Sequence, residues 1–334
     1  MKLRVVVYIS LLVVVVALAG FIPGRAQETA QQAQEASGNS DQPPTQNWAG
    51  GNPLKIALLK WYPANQTTSF QVGKQPLGVA FDGGNIWATN NYDGTVTKLR
   101  ANDGEKLGTF AAGPGAMGMA FDGANIWVAN SVANTVTKLR ASDGKNLGTF
   151  MVGSQPWFLA FDGTNIWTTN TGDGTISKVH ASDGKLLLTI PDKLGPRGIA
   201  FDGTYVWVTE FKDTVTRFKL DGKNAGTFTV GAQPSAIAFD GANIWVGNVN
   251  SGTVTKLRAS DGKTLGTFPV PGSPYGMAYD GDHIWVTTDS FINELQLSDG
   301  KIVAYLIAHG PTGIAFDGAN IWVAIYGDNT ASKL

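Results

Sequence analysis

The sequence predicts an all-β protein, a seven-bladed β-propeller built from four-stranded blades, and three observations predict it. A short phrase, aromatic-Asp-Gly followed by two residues, an aliphatic and Trp, occurs seven times, from Phe81-Asp82-Gly83 with Trp87 to Phe316-Asp317-Gly318 with Trp322. Successive copies stand close to forty residues apart, the length of one propeller blade. Between the phrases, apolar and polar residues alternate with period two and are interrupted by Gly, Asn, Asp and Ser, the pattern of short strands joined by turns. No single copy is long enough to bury a core alone, so the copies form one domain.

Within the first copy, strand A is predicted at Leu77 to Phe81, a turn at Asp82-Gly83-Gly84-Asn85, and strand B at Ile86 to Asn90. Strand C follows at Thr95 to Arg100, a hairpin turn around Asn102-Asp103-Gly104, and strand D at Leu107 to Ala112. The repeated Asp-Gly pairs read as turn chemistry: Gly tolerates positive φ, and the Asp carboxylate accepts backbone N–H groups. Trp at the third position of strand B reads as core between blades. Lys98 and Arg100 on strand C, with their counterparts, read as solvated rim charge that discourages edge pairing.

The ends of the repeat region carry a topological prediction. The chain stops at Leu334, where strand C of the seventh copy stops, and that copy lacks its strand D. Thr67 to Val72, before the first copy, matches the missing piece, so an N-terminal strand is expected to close the last blade and remove an exposed edge.

Upstream, residues 1–26 read as an export signal: Lys2 and Arg4, an apolar run over residues 5–22, then Pro23 and small-residue cleavage sites ending at Ala19 or Ala26. An uncleaved membrane tether through residues 5–22 is the alternative. Residues 27–53 are a polar linker rich in Gln, Ala, Ser and Asn, residues 54–65 an apolar segment expected to dock, and residues 66–334 the propeller. The protein is therefore expected to be exported, periplasmic or extracellular, and monomeric. The chain contains no Cys and has a formal net charge of −1. Thiol chemistry and disulfide staples are thereby excluded. Its basic residues recur once or twice per blade instead of gathering in one patch, so no nucleic-acid partner is expected.

The phrase Pro-x-Gly-aliphatic-Ala-Phe-Asp-Gly-x-Asn-Ile-Trp-Val-x-Asn, seen across Gln233 to Asn248 and again across Pro311 to Val323, resembles the bacterial NHL and YVTN type propeller repeats over roughly residues 66–334. More distantly the chain is similar to streptogramin lyases. That resemblance implies a Mg²⁺-dependent elimination resting on a Glu and His residues clustered on one face. Glu210 is the matching Glu, followed here by Phe211 and Lys212.

Of the three His, His180 ends a strand C, His283 lies in an A–B turn and His309 in a D–A connection, too dispersed for a metal cluster. No Ser sits in a Gly-x-Ser-x-Gly elbow, so no nucleophilic apparatus is visible. No catalytic residue, metal site or cofactor is assigned. The A–B and C–D turns are nearly constant between copies, whereas the D–A and B–C connections differ in every blade; variable loops on a repeat scaffold are where binding residues sit. After the residue that opens strand A, the copies read Leu77, Met117, Trp157, Arg197, Ser235, Tyr275 and Thr312, a ring around the channel mouth. Blade 3 follows with Phe158 where the others keep Gly or Ala. A second ring closes strand B: Asn90, Asn130, Asn170, Glu210, Asn248, Thr288 and Ile325. Trp157, Phe158, Arg197, Glu210 and Tyr275 are the candidate ligand-binding residues, a composition typical of binding hot spots. The expected function is non-enzymatic binding of a protein or small ligand on this face; the alternative is a lyase or lactonase-like enzyme using Glu210, Asp213 and Asp289 around a divalent metal.

Overall fold

The structure, a computed structural model, describes residues 68–334. The expected signal (1–26), linker (27–53) and docking segment (54–65) lie outside the described residues, as does Thr67. The repeat region forms seven antiparallel four-stranded sheets. Blade 1 comprises Pro76–Phe81, Asn85–Asn90, Thr95–Arg100 and Lys106–Ala111. The next five blades repeat that order, and strand A of each packs on strand A of the next, the seventh on the first.

The seventh sheet has the order Ser69–Gln71, Thr330–Lys333, Ile321–Ile325, Pro311–Phe316. The N-terminal strand supplies the missing outer strand, with Phe70 opposite Ala331, so the edge that strand C of this blade would expose is paired. The seam is also tied elsewhere: Lys333 N donates to Thr68 O at 2.6 Å, Val72 N to Asn329 O at 3.0 Å, and Gln75 N to Asn329 Oδ1 at 2.8 Å.

Each constant word of the repeat has an atomic reason. In all seven blades the Trp indole Nε1 donates to the Asp Oδ2 of the same blade at 2.6–2.8 Å. The other carboxylate oxygen accepts turn amides, as Asp162 Oδ1 does from Thr164 N and Asn165 N. Burial pushes the Asp162 carboxyl up, but the Trp167 indole, Asn165 and the turn amides together hold it below the usual range. The Asp thus fastens a buried indole to its turn, and six of the seven Trp are fully buried. The Phe of strand D completes the contact: Phe110 meets Trp87 at 5.5 Å and Phe150 meets Trp127 at 5.6 Å. Phe110 also lies beneath Gly144 in the C–D turn of the next blade, whose φ of +72° and lack of room for a Cβ both demand Gly. Seven apolar clusters result, each shared by two adjacent blades.

The strand C lysines correct one expectation. They are not solvated rim charge: Lys98 and Lys138 are buried. Lys98 Nζ donates to Ala141 O at 2.6 Å and lies 5.1 Å from the Trp87 ring centroid. Lys138 does the same to Ala181 O at 2.7 Å over Trp127, and Lys333 reaches from blade 7 to Ala101 O and Asn102 O of blade 1. The alkyl stem packs on indole while the ammonium meets carbonyls of the neighbouring blade. Arg100, Arg140 and Arg258 do behave as rim charge, partly exposed and paired with Asp103, Asp143 and Asp261.

Candidate ligand site at the blade 3–blade 4 mouth

The D–A and B–C connections share one face because they bond each other: Asn91 N donates to Gln75 O and Phe211 N to Gly195 O. In six blades a bulge separates the residue that opens strand A from the rest of that strand, as between Pro196, opposite Glu210, and Ile199, opposite Val208. The extra residue bends the strand and re-aims the side chains within it, and in these six blades the ring residue stands within the bulge; blade 6, with Tyr275, has none. Small residues deeper in strand A let blades approach: a Cβ on Gly118 would lie 2.5 Å from Trp157 O, and one on Gly78 equally close to Met117 O.

The structure brings three of the five sequence candidates together and adds a fourth side chain. Arg197 of blade 4 places its guanidinium carbon 5.5 Å from the Trp157 ring centroid of blade 3 and 4.8 Å from that of Phe211. Trp157 and Phe158 meet edge to face at 6.4 Å. Thr169 Oγ1 donates to Arg197 O at 2.5 Å, which pins the backbone beneath the cluster to blade 3. Phe158, in place of the usual Gly, packs inward on the core cluster around Trp167 and Ile199. Burial with no neighbouring carboxylate pushes the Arg197 guanidinium down from its ordinary value.

Glu210 and Tyr275 stand apart from this cluster. Glu210 is 1% exposed, and its Oε2 accepts the Thr214 hydroxyl at 2.5 Å; it forms no ion pair with Arg197. Burial pushes its carboxyl up, hydroxyls of Thr214 and Thr216 partly offset that, and the nearby Asp192 charge adds to it. Asp192, at the end of blade 3, is 5% exposed and raised by the same burial; its Oδ1 accepts Leu194 N at 2.8 Å, while Oδ2 has no partner among the described residues. Tyr275, two blades away, donates its hydroxyl to Asp289 Oδ1 at 3.0 Å.

The ring of Asn residues is explained by packing. Asn90 Nδ2 donates to Thr95 Oγ1 and Thr97 Oγ1 of its own strand C, and the same pattern recurs at Asn130, Asn170 and Asn248. Each abuts a Gly of the preceding connection, Gly73, Gly113, Gly153 or Gly231, where a Cβ would fall 2.5–2.7 Å from the amide. Where that Gly is absent the Asn is absent too: Lys193 accompanies Glu210, Pro271 accompanies Thr288, and His309 accompanies Ile325.

The carboxylates of the enzymatic alternative are each committed elsewhere. Asp213, at φ +63°, occupies a left-handed turn position and accepts Gln233 N, as Asn134 accepts Gln155 N in blade 2. Asp289 accepts Ser273 N and the Tyr275 hydroxyl. His180, His283 and His309 face Asp183, Glu294 and Asp328 respectively. Among the described residues no three metal-ligating side chains come together.

Sequence reasoning did not single out Phe211 or Asp192. The signal was present: blade 4 shortens its B–C connection to three residues, and Phe211 begins it. It also did not foresee two open clefts on the opposite, constant face, about 420 Å³ between blades 1 and 2 beside Lys98 and Ser142, and about 510 Å³ between blades 4 and 5 beside Tyr205 and Arg258.

No family model matches the chain, and no curated protein matches it in sequence. Among solved structures, a streptogramin B lyase superposes with a TM-score of 0.68 at 20% identity, over 79% of this chain and 95% of that one. Hydrazine synthase of Kuenenia stuttgartiensis superposes with a TM-score of 0.66 at 18% identity, over 79% and 97%. At these identities the likeness is one of fold.

Proposed function

We propose that this chain is an exported, non-enzymatic β-propeller of the NHL/YVTN repeat type. It captures a protein or small ligand on its D–A and B–C face, with the junction of blades 3 and 4 as the site. The observation that carries this reading is the Arg197 guanidinium lying against Trp157 and Phe211, an aromatic-arginine group of the kind that anchors binding interfaces. The streptogramin B lyase is an enzyme on a similar scaffold, but fold does not transmit activity. An elimination of that kind would need Glu210, Asp213 and Asp289 to converge, and each instead serves a local hydrogen bond. Residues 1–26 would direct export or, left uncleaved, would tether the propeller near the envelope through residues 5–22, with residues 27–53 as the linker.

The test is a thermal-shift screen of chemically diverse small molecules and peptides against the full chain and against a Trp157→Ala/Phe211→Ala variant. Ligands that raise the wild-type melting temperature should lose their effect on the variant, whose own melting temperature stays nearly unchanged. Ligands that stabilise both proteins equally place the site elsewhere.

A further inference from the structure

We infer that Arg197 is an anion-recognition group and that the ligand captured at the blade 3–blade 4 mouth presents a carboxylate to it. This deepens the proposed binding function and rests on it. Five arginines lie among the described residues, and four have their guanidinium groups bonded. Arg100, Arg140 and Arg258 pair with aspartates, and Arg217 donates to the carbonyls of Ala225, Ala259 and Ser260. Only Arg197 has neither a hydrogen bond from its guanidinium nor a carboxylate within 4.0 Å among the described residues.

That condition is costly, because this side chain is half-buried. A partly desolvated cation without a partner has lost water and gained only ring faces. Contact with Trp157 and Phe211 limits where the group can turn, while ring faces do not take up its N–H groups; these remain for an acceptor. The nearest acids do not supply one. Glu210, next to Arg197 in the strand ladder through Pro196, gives its Oε2 to Thr214. Asp192 gives Oδ1 to a backbone amide and is buried away from solvent. Lys193 and Lys212, on the two flanking connections, are exposed and add positive charge around the mouth. The guanidinium therefore sits in a cationic setting bounded by aromatic surface. A carboxylate is planar, matches the guanidinium fork with two parallel hydrogen bonds, and would carry an organic body that can lie on the aromatic rings.

The alternative is that Arg197 is only a staple between two blades. Isothermal titration of the full chain with benzoate, its neutral isostere benzamide, a tetrapeptide with a free or an amidated C-terminus, and inorganic phosphate separates the readings. Saturable binding of benzoate or of the free-carboxylate peptide, absent for benzamide and the amidated peptide, is expected; which of the two binds more tightly tells a small-molecule from a peptide source. Arg197→Gln should weaken that binding about ten- to hundredfold, the loss of a charge-assisted pair, and Arg197→Lys should recover part of it. No saturable carboxylate binding, or equal binding by Arg197→Gln, overturns the inference, as does phosphate binding more tightly than either carboxylate. Neutral aromatic compounds that bind through Trp157 and not Arg197 overturn it while leaving the binding face standing. Carboxylate binding indifferent to both residues overturns both.

Discussion

Replacing Phe70 by Ala tests whether three residues before the first repeat hold the ring shut. Phe70 meets Trp322 at 5.5 Å, lies against Gly104 of blade 1, and belongs to the cluster shared by blades 7 and 1 with Ile86, Leu99 and Ala331. Phe→Ala in a core costs about 3–5 kcal/mol, and the partial exposure of Phe70 places the expected loss near about 3 kcal/mol. A domain of this size moves roughly 2 °C per kcal/mol, so the melting midpoint should fall by about 6 °C. The control is Phe110→Ala, the same side chain against Trp87 of its own blade and Gly144 of blade 2. The assay is calorimetry with urea unfolding monitored by Trp fluorescence. If the N-terminal strand is integral to the ring, both variants should lose similar stability in one cooperative transition. A chain beginning at Lys74, which also forfeits the backbone bonds of Ser69–Gln71, should fall further. Should Phe110→Ala fall as expected while Phe70→Ala and the truncation stay within about 2 °C of wild type, closure by the N-terminal strand would be refuted.

The remaining predictions concern the blade junctions and the mouth. Lys138→Met keeps the stem over Trp127 but strands the Ala181 and Ser182 carbonyls, so urea unfolding should show a loss of about 1–3 kcal/mol; Arg140→Ala, on the exposed rim, should cost less than about 1 kcal/mol. Burial raises the Glu210 carboxyl, so the native state holds a proton there more tightly than the unfolded chain does. Its contribution is full below the unfolded-state carboxylate pKa and is lost as pH rises through the raised native value. The melting advantage of Glu210→Gln over wild type should accordingly grow between acid and neutral pH, and Asp192→Asn should reduce that growth by removing the neighbouring charge. An advantage independent of pH would show that Glu210 is not raised. The Trp157→Ala/Phe211→Ala and Arg197→Gln variants complete the set, checked by ligand-induced thermal shift and by titration.

The fold was legible because its information is repeated: each Asp-Gly, Ile-Trp and strand C motif announces itself up to seven times, and the unmatched ends point at each other. What one copy cannot display is its relation to the next. Lys98 looks solvated when strand C is read alone, since the carbonyls that receive it belong to Ala141 and Ser142, a full repeat later. The same limit explains the site. Trp157 and Arg197 stood out as departures in the mouth ring, but Phe211 joins them only because Phe211 N bonds back to Gly195 O across two connections. Tyr275 stood out by the same criterion, and its hydroxyl is engaged by Asp289 instead.

The departures in blades 3 and 4 are not independent substitutions, and this bears on whether the mouth arose by drift. In the regular blades, Asn at the end of strand B requires Gly in the preceding connection, because the amide occupies the space a Cβ would take. Blade 4 has neither: Lys193 stands for the Gly, Glu210 for the Asn, and Asp192 replaces the Ala or Val that otherwise precedes the Gly. A single exchange of that Gly would clash with Asn, so the pair must change together. The exchange, moreover, buries two carboxyls, Asp192 and Glu210; burial pushes both up, and the Asp192 charge adds to the rise at Glu210. In the same blade, the shortened connection delivers Phe211 to Arg197, whose charge those carboxylates leave unpaired. Unselected loop variation accumulates substitutions that cost little. A buried acid pair near a half-buried guanidinium that no protein group pairs costs stability at both levels, as the binding role proposed for this mouth would require.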